Sequence, residues 1–263
     1  MKVVLLTSNS FRHKYIANCL SKELDLNLII TEEKANSITD TSKYDLVDKE
    51  FIEDHFKKRT ASEMDFFGTY NFPENIAIKE LPFKGINSPN TENLLKDANP
   101  DYIVLFGTSI ISESLLKEFP NRFINLHLGL SPYYKGSATN LFPYHYNEPE
   151  CIGATFHIAT PKVDAGGILN QMRPKIVVED NLHSIGNKVI REAGLMLPEI
   201  LKKLEKQEIK PVLQKGNGRI CRIKDLTSMV LGDIYNKFDE GIIADYLDQK
   251  NKRDIKKPII QNI

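Results

Sequence analysis

Short runs of apolar and β-branched residues recur along the chain, separated by longer stretches in which apolar positions return at helical spacing. "VVLLT" at 3–7, "LNLII" at 26–30, "NIAIKEL" at 75–81, "YIVLFG" at 102–107 and "FINLHLG" at 123–129 read as strands. Between them, 10–22, roughly 43–67, 90–98 and 112–118 carry helix patterns, with Asn90 or Thr91 and then Ser112 as caps. Near-continuous apolar strands alternating with helices predict an α/β fold with a mainly parallel, doubly wound sheet covered on both faces. In such sheets ligands bind beyond the carboxyl ends of the strands. Further on, "CIGATFHIATPKVDAGGILNQ" at 151–171 reads as a strand, a Pro-containing loop with Asp164 and two glycines, and another strand.

The expected organisation is a catalytic domain over 1–205 and a small α+β extension over 206–263. In the extension, "PVLQ" and "RICRI" around "GNGR" at 216–219 predict a β-hairpin. "DLTSMVLGDIYNKFDEGIIADYL" then reads as helical, capped by Asp225 or Thr227. Residues 202–224 set eight Lys and Arg against two Glu. Such a strip suits tRNA phosphates or a diphosphate, and equally suits a solvated face. The tail is also a candidate homodimer surface.

Composition narrows the classes. The 263 residues are 41% hydrophobic and 27% charged, as in ordinary soluble domains. Formal net charge is zero, so nucleic acid is not expected as a partner unless a local patch attracts it. Cys19, Cys151 and Cys221 have neither disulfide nor metal spacing, which fits a reducing cytoplasm and predicts no metal. No segment has the length and apolarity of a membrane span, so no membrane partner is expected. "TSNSFRH" after the first strand lacks the Gly-rich dinucleotide fingerprint, and P-loop, zinc-protease and nucleophile-elbow motifs are absent.

Candidate chemistry begins at "FINLHLGLSPYYKG", where Asn125 and His127 lie two apart near the end of a strand and so face one side. Asp164 lies in a tight loop beside a later strand. An amide, an imidazole and a carboxylate suit acyl transfer, with donors for a developing oxyanion and an acceptor for the nucleophile's proton. A Ser or Cys with a paired base is missing, which favours direct attack by an amine over a covalent acyl-enzyme.

"NLHLGLSPYYKG" followed by "KVDAGGIL" resembles the N10-formyltetrahydrofolate-dependent formyltransferases, whose pattern is Asn-x-His-Pro-Ser-Leu-Leu-Pro with a later Leu-Asp-x-Gly. The resemblance covers roughly 1–205 and implies the formyltransferase fold, with Asn125, His127 and Asp164 as the catalytic set. Leu128, Gly129 and Val163 depart from the pattern and leave the three polar groups in place. The resemblance also implies N10-formyltetrahydrofolate as formyl donor, held by Phe106, Gly107, Thr108, Ser109 and Ile110, with Ile111 as a further apolar wall.

Members of that family act on methionyl-tRNA, glycinamide ribonucleotide, nucleotide-linked amino sugars or, in the deformylases, water. A first strand at Val3 does not match the added N-terminal domain of the deformylases, the glycinamide ribonucleotide enzymes lack a piece like 206–263, and the tRNA enzymes carry a larger C-terminal barrel. "GLSPYYKGSATNLFPYHYNEPECIGATFH" looks like the sugar N-formyltransferases of surface-polysaccharide (lipopolysaccharide O-antigen) biosynthesis, which implies a nucleotide-linked amino sugar as substrate. Methionyl-tRNA formylation is the alternative, and a non-catalytic folate or nucleotide-sugar binder a further one. Candidate substrate contacts are Arg12, His55, Arg59, Tyr133, Tyr134 and Lys135. His55, Arg59 and Glu63 share one helix stripe, readable as an anion clamp or an ion-pair ladder.

Overall fold

The computed structural model describes residues 1–34 and 46–263. Five strands, β1 (Lys2–Thr7), β2 (Asp25–Glu32), β3 (Ala77–Leu81), β4 (Tyr102–Leu105) and β5 (Phe123–His127), alternate with helices α1 (Phe11–Glu23), α2 (Leu46–Phe67), α3 (Pro89–Ala98) and α4 (Glu113–Glu118). The expected helix start at 43–45 lies outside the described residues. After β5 come β6 (Tyr134–Gly136), α5 (Phe142–His145), β7 (Ala154–Ile158), β8 (Ile168–Met172) and α6 (Leu182–Glu205). Then follow β9 (Arg219–Cys221), α7 (Ser228–Asp239), α8 (Ile242–Asp248) and α9 (Lys250–Lys256).

The main sheet has the order β3-β2-β1-β4-β5-β7-β8. Its first five strands are parallel, while β7 and β8 run antiparallel. This is the α/β fold expected, and alternation within β1 shows why both faces are covered. Val3 and Leu5 join the core beneath α1 and α6, whereas Val4 and Leu6 join the core beneath α3 and α4. Among the described residues, no helix is long and apolar enough to cross a membrane.

Caps follow local chemistry. Ser112 and Thr227 accept from Leu115 N and Val230 N as N-caps of α4 and α7. The cap of α3 is Ser88 rather than Asn90 or Thr91, because Pro89 has a φ suited to the first helical position and Ser88 Oγ accepts from Thr91 N.

The expected hairpin at 202–224 does not form. Val212 instead bridges Ile168 at the edge of the main sheet, and β9 pairs in parallel with β6. A parallel partner cannot be reached through a two-residue turn, and "GNGR" serves as the approach to β9. The segment after 206 is built into the body of the fold. Ile234, Ile242, Ile243 and Tyr246 join the larger core, and the terminal residues lie along β8, with Gln171 N donating to Ile260 O at 2.6 Å and Asn262 N to Asn170 Oδ1 at 2.7 Å.

Candidate active site

Asn125 and His127 occupy the carboxyl end of β5 on one side, as their spacing demands. Across the antiparallel pairing with β7, Asn125 faces His157 and His127 faces Thr155. The loop between β7 and β8 brings Asp164 up between the two imidazoles. Its Oδ2 lies 3.4 Å from His127 Nδ1 and its Oδ1 3.4 Å from His157 Nε2, with both rings nearly buried. Gly136 N donates to Asp164 Oδ2 at 2.7 Å and Asn125 Nδ2 to Oδ1 at 3.2 Å.

The partners fix the tautomers. His127 Nε2 lies 3.1 Å from Tyr134 O, and a carbonyl only accepts, so Nε2 carries the proton. Nδ1 is left to face the carboxylate, whose charge opposes the lowering of the His127 pKa by burial and favours a proton between the two groups. His157 Nδ1 donates to Ile158 O at 2.9 Å, which leaves its Nε2 to accept from Asn125 Nδ2 at 3.0 Å. Both N–H bonds of Asn125 are therefore committed within the cluster. Burial disfavours the Asp164 carboxylate, but His127, His157 and the Gly136 N–H together outweigh it and hold the carboxyl down at about 2.

Gly129, one of the departures from the formyltransferase pattern, lies against His127. A Cβ there would stand 2.7 Å from both His127 Nε2 and Thr139 Oγ1, whose hydroxyl donates to Leu128 O. The Gly thus accompanies this particular threonine.

Beyond the ends of β1, β2 and β4 lies a cluster of cations. Arg12 donates to both oxygens of Glu63 at 2.6 and 2.7 Å, and Arg59 Nε donates to Glu63 Oε1 at 3.1 Å. Lys34 Nζ is tucked against Gly107 O. Burial and then Arg59 lower Arg12 to about 10 despite Glu63, while burial of the ammonium and then Arg12 lower Lys34 to about 8. The cations crowd one another faster than the carboxylates relieve them. His13, buried beside Gly107, is held well below its usual range by burial, Arg12, Lys34 and Arg59.

Other candidates fall elsewhere. His55 leaves the stripe for a buried junction, where its Nδ1 lies 3.1 Å from Tyr235 Oη and burial lowers it to about 3. A neutral imidazole bonded to Tyr235 is no anion clamp, which corrects that expectation. Tyr133, Tyr134 and Lys135 are covered by the C-terminal segment. Tyr133 Oη donates to Pro258 O at 2.8 Å, Tyr134 is 1% exposed with its hydroxyl on Glu148, and Lys135 is buried. Pairing of β6 with β9 closes this stretch around Tyr134, while Tyr133 stays partly exposed. In the 106–111 loop, Phe106 and Ile111 belong to the two cores while Ile110 is 68% exposed. Glu32 holds the loop by accepting from Ser109 N at 2.7 Å.

Sequence reasoning passed over His157, Lys34 and Glu32. His157 left a signal, an imidazole in a mostly apolar strand, but the register that sets it opposite Asn125 is not local. Among the described residues, no group of three or more His, Cys, Asp or Glu is placed to hold a metal.

Comparison with known proteins follows from this geometry. A methionyl-tRNA formyltransferase of Trichodesmium erythraeum is 30% identical over 131 residues, 49% of this chain and 39% of that protein. This chain spans under half the length of such curated relatives, 39 to 47%. A sugar N-formyltransferase from a Shewanella species superposes with a TM-score of 0.58 at 16% identity, over 90% of this chain and 87% of that one. A phosphoribosylglycinamide formyltransferase from Anaplasma phagocytophilum does so with a TM-score of 0.56 at 17% identity, over 84% and 98%. At these identities the structural likeness speaks for the fold alone. The family model described as formyl transferase, however, matches residues 1–201, most of the chain, and this protein therefore belongs to the formyl transferase family.

Proposed function

We propose that this chain transfers a formyl group from N10-formyltetrahydrofolate to the amine of a nucleotide-linked amino sugar, with Asn125, His127 and Asp164 as catalytic residues. The observation that carries the reading is the Asp164 carboxylate, buried yet ionised, set against His127 Nδ1 at 3.4 Å. A carboxylate paired with an imidazole takes up and passes on a proton, which is what an attacking amine must lose.

The donor fits the open loop at the end of β4. Exposed Ile110 supplies an apolar wall, while Gly107 packs against His13 and Lys34. Bound there, the donor supplies the formyl carbon, and the protein supplies position and electrostatics. Asn125 polarises the formyl oxygen with the N–H now on Asp164 Oδ1, the longer of its two contacts. His127 adds Nε2–H by releasing Tyr134 O. Asp164 and His127 Nδ1 receive the amine proton and return it to N10, as the bond to N10 is exchanged for a bond to the amine nitrogen.

The sugar reading is supported by the Arg12, Lys34 and Arg59 cluster, whose excess positive charge suits a diphosphate. The tRNA reading has weaker support. In the basic strip, Lys202 pairs with Glu23, Lys203 with Glu199, and Arg219 with Glu148 while stacking 3.9 Å over Tyr146. Incubation with formyl donor and a nucleotide amino sugar, glycinamide ribonucleotide or methionyl-tRNA should release tetrahydrofolate with the sugar alone. Efficient formylation of the tRNA would install that reading instead, and no release with any amine would favour a folate or nucleotide-sugar binder without turnover.

A further inference from the structure

The loop that carries Asp164 is held from outside the family-matched region. Pro211 to Gln214 leave α6 and run back beside it. Val212 exchanges two backbone hydrogen bonds with Ile168, each 2.8 Å, at the foot of the loop. One residue earlier, Pro211 occupies the place of a side chain at Gly167, where a Cβ would lie 2.6 Å from Pro211 Cβ. Two residues later, Gln214 Nε2 donates to Asp164 O and to Gly166 O, both at 2.8 Å. Two carbonyl partners fix which end of the amide points at the loop, since an oxygen there would be repelled. Gln214 Oε1 is buried with no partner among the described residues. The side chain is thus held for its donors.

A fork of this kind ties together the two carbonyls that flank Ala165. Asp164 has φ 45, outside the region most residues prefer. It is the sort of conformation that persists only when neighbouring contacts over-determine it. On the far side, the carboxylate meets His127 from β5, His157 from β7 and the Gly136 N–H from β6. The acid is therefore gripped by its side chain from the sheet and by its main chain from the C-terminal segment.

We propose that Gln214 is a positioning residue, which aims the Asp164 carboxylate at His127 and the amine by fixing the Asp164–Gly166 main chain. This rests on the formyl-transfer reading for its kinetic consequence, and on geometry alone for its structural one. Gln214→Met keeps the length of the side chain and removes both donors.

The structural test follows the Gly136 amide, whose N–H ends on Asp164 Oδ2. Its hydrogen exchange in Gln214→Met should quicken by about 10-fold as the carboxylate loosens, while amides of β1 and β4 keep their protection. Unchanged exchange at Gly136 would overturn the proposal whether or not the protein transfers formyl groups, and general loss of protection would show Gln214 to be a folding residue.

The kinetic test is a cycle with Asp164→Asn. In the wild-type background Gln214→Met should lower kcat by about 10- to 100-fold with the KM for the amine little changed, and in the Asp164→Asn background by less than about 2-fold. Equal losses in both backgrounds would mean that Gln214 does not act through Asp164. If the wild type released no tetrahydrofolate, the formyl-transfer reading would fall and the exchange experiment would still decide the positioning role.

Discussion

Asp164 joins a left-handed backbone to a carboxylate whose side chain is only 9% exposed. Asp164→Asn keeps the shape and removes the charge, so turnover followed by tetrahydrofolate release should fall by about 10²- to 10⁴-fold. Asn125→Ala should lower kcat by about 10²- to 10³-fold with donor binding nearly kept, because its N–H matters most as charge develops on the formyl oxygen. The pH dependence separates the groups. From sequence, an acid limb in kcat/KM belongs to Asp164 or to the amine. With the carboxyl at about 2, Asp164 stays ionised across the assay range, so the limb belongs to the amine or to His127 and should persist in Asp164→Asn. The folded-state value lies below the unfolded one of roughly 3.9. Ionised Asp164 therefore stabilises the fold at neutral pH, and that contribution is lost as pH falls from roughly 4 through about 2. Urea unfolding of wild type and Asp164→Asn should converge over that interval.

At the scale of elements, α2, α6 and α7 meet where His55 Nδ1 and His183 Nε2 both lie 3.1 Å from Tyr235 Oη. One hydroxyl serves both rings, giving its proton to one and accepting from the other. Tyr235→Phe leaves the nitrogen of buried His55 and that of partly buried His183 without this partner and should destabilise by about 1–3 kcal/mol in urea unfolding. Burial lowers His55 to about 3 and His183 to about 4. The unfolded chain binds these protons from roughly pH 6.5 downward, so stability should decline as the pH drops from there to about 3, and His183→Gln should flatten the decline. This junction also marks what the sequence could tell. Strands such as 3–7 and 26–30 are legible because a strand buried on both faces is apolar at nearly every position. The Asn125–His127 pair is legible because the period of two is local. His157 depends on the antiparallel register, Gln214 on a bridge between distant segments, and β9 on a parallel partner in another part of the chain. Turn chemistry at "GNGR" suggested a hairpin because a turn signal carries no information about what lies beyond its neighbours.

For the molecule as a whole, the segment after α6 belongs to the core and to the site together. A chain ending at Glu205 would lose Ile234, Ile242, Ile243 and Tyr246 from the larger core, along with the β9 partner of β6. Such a chain should lack near-UV circular dichroism and elute as aggregate on size exclusion, whereas the full chain should give a cooperative thermal transition.

The strip of main chain that lies along β8 has a further consequence, which concerns time. Synthesis proceeds from the amino end, so Asn125, His127 and Asp164 leave the ribosome well before Gln214, Ile260 and Asn262. Until Ile260 arrives to accept from Gln171 N, the β8 edge beyond the Val212 bridge at Ile168 is uncovered, and such edges recruit other nascent strands. Asp164 is thus translated well before the residues around 260 that cover the edge of the strand beside it.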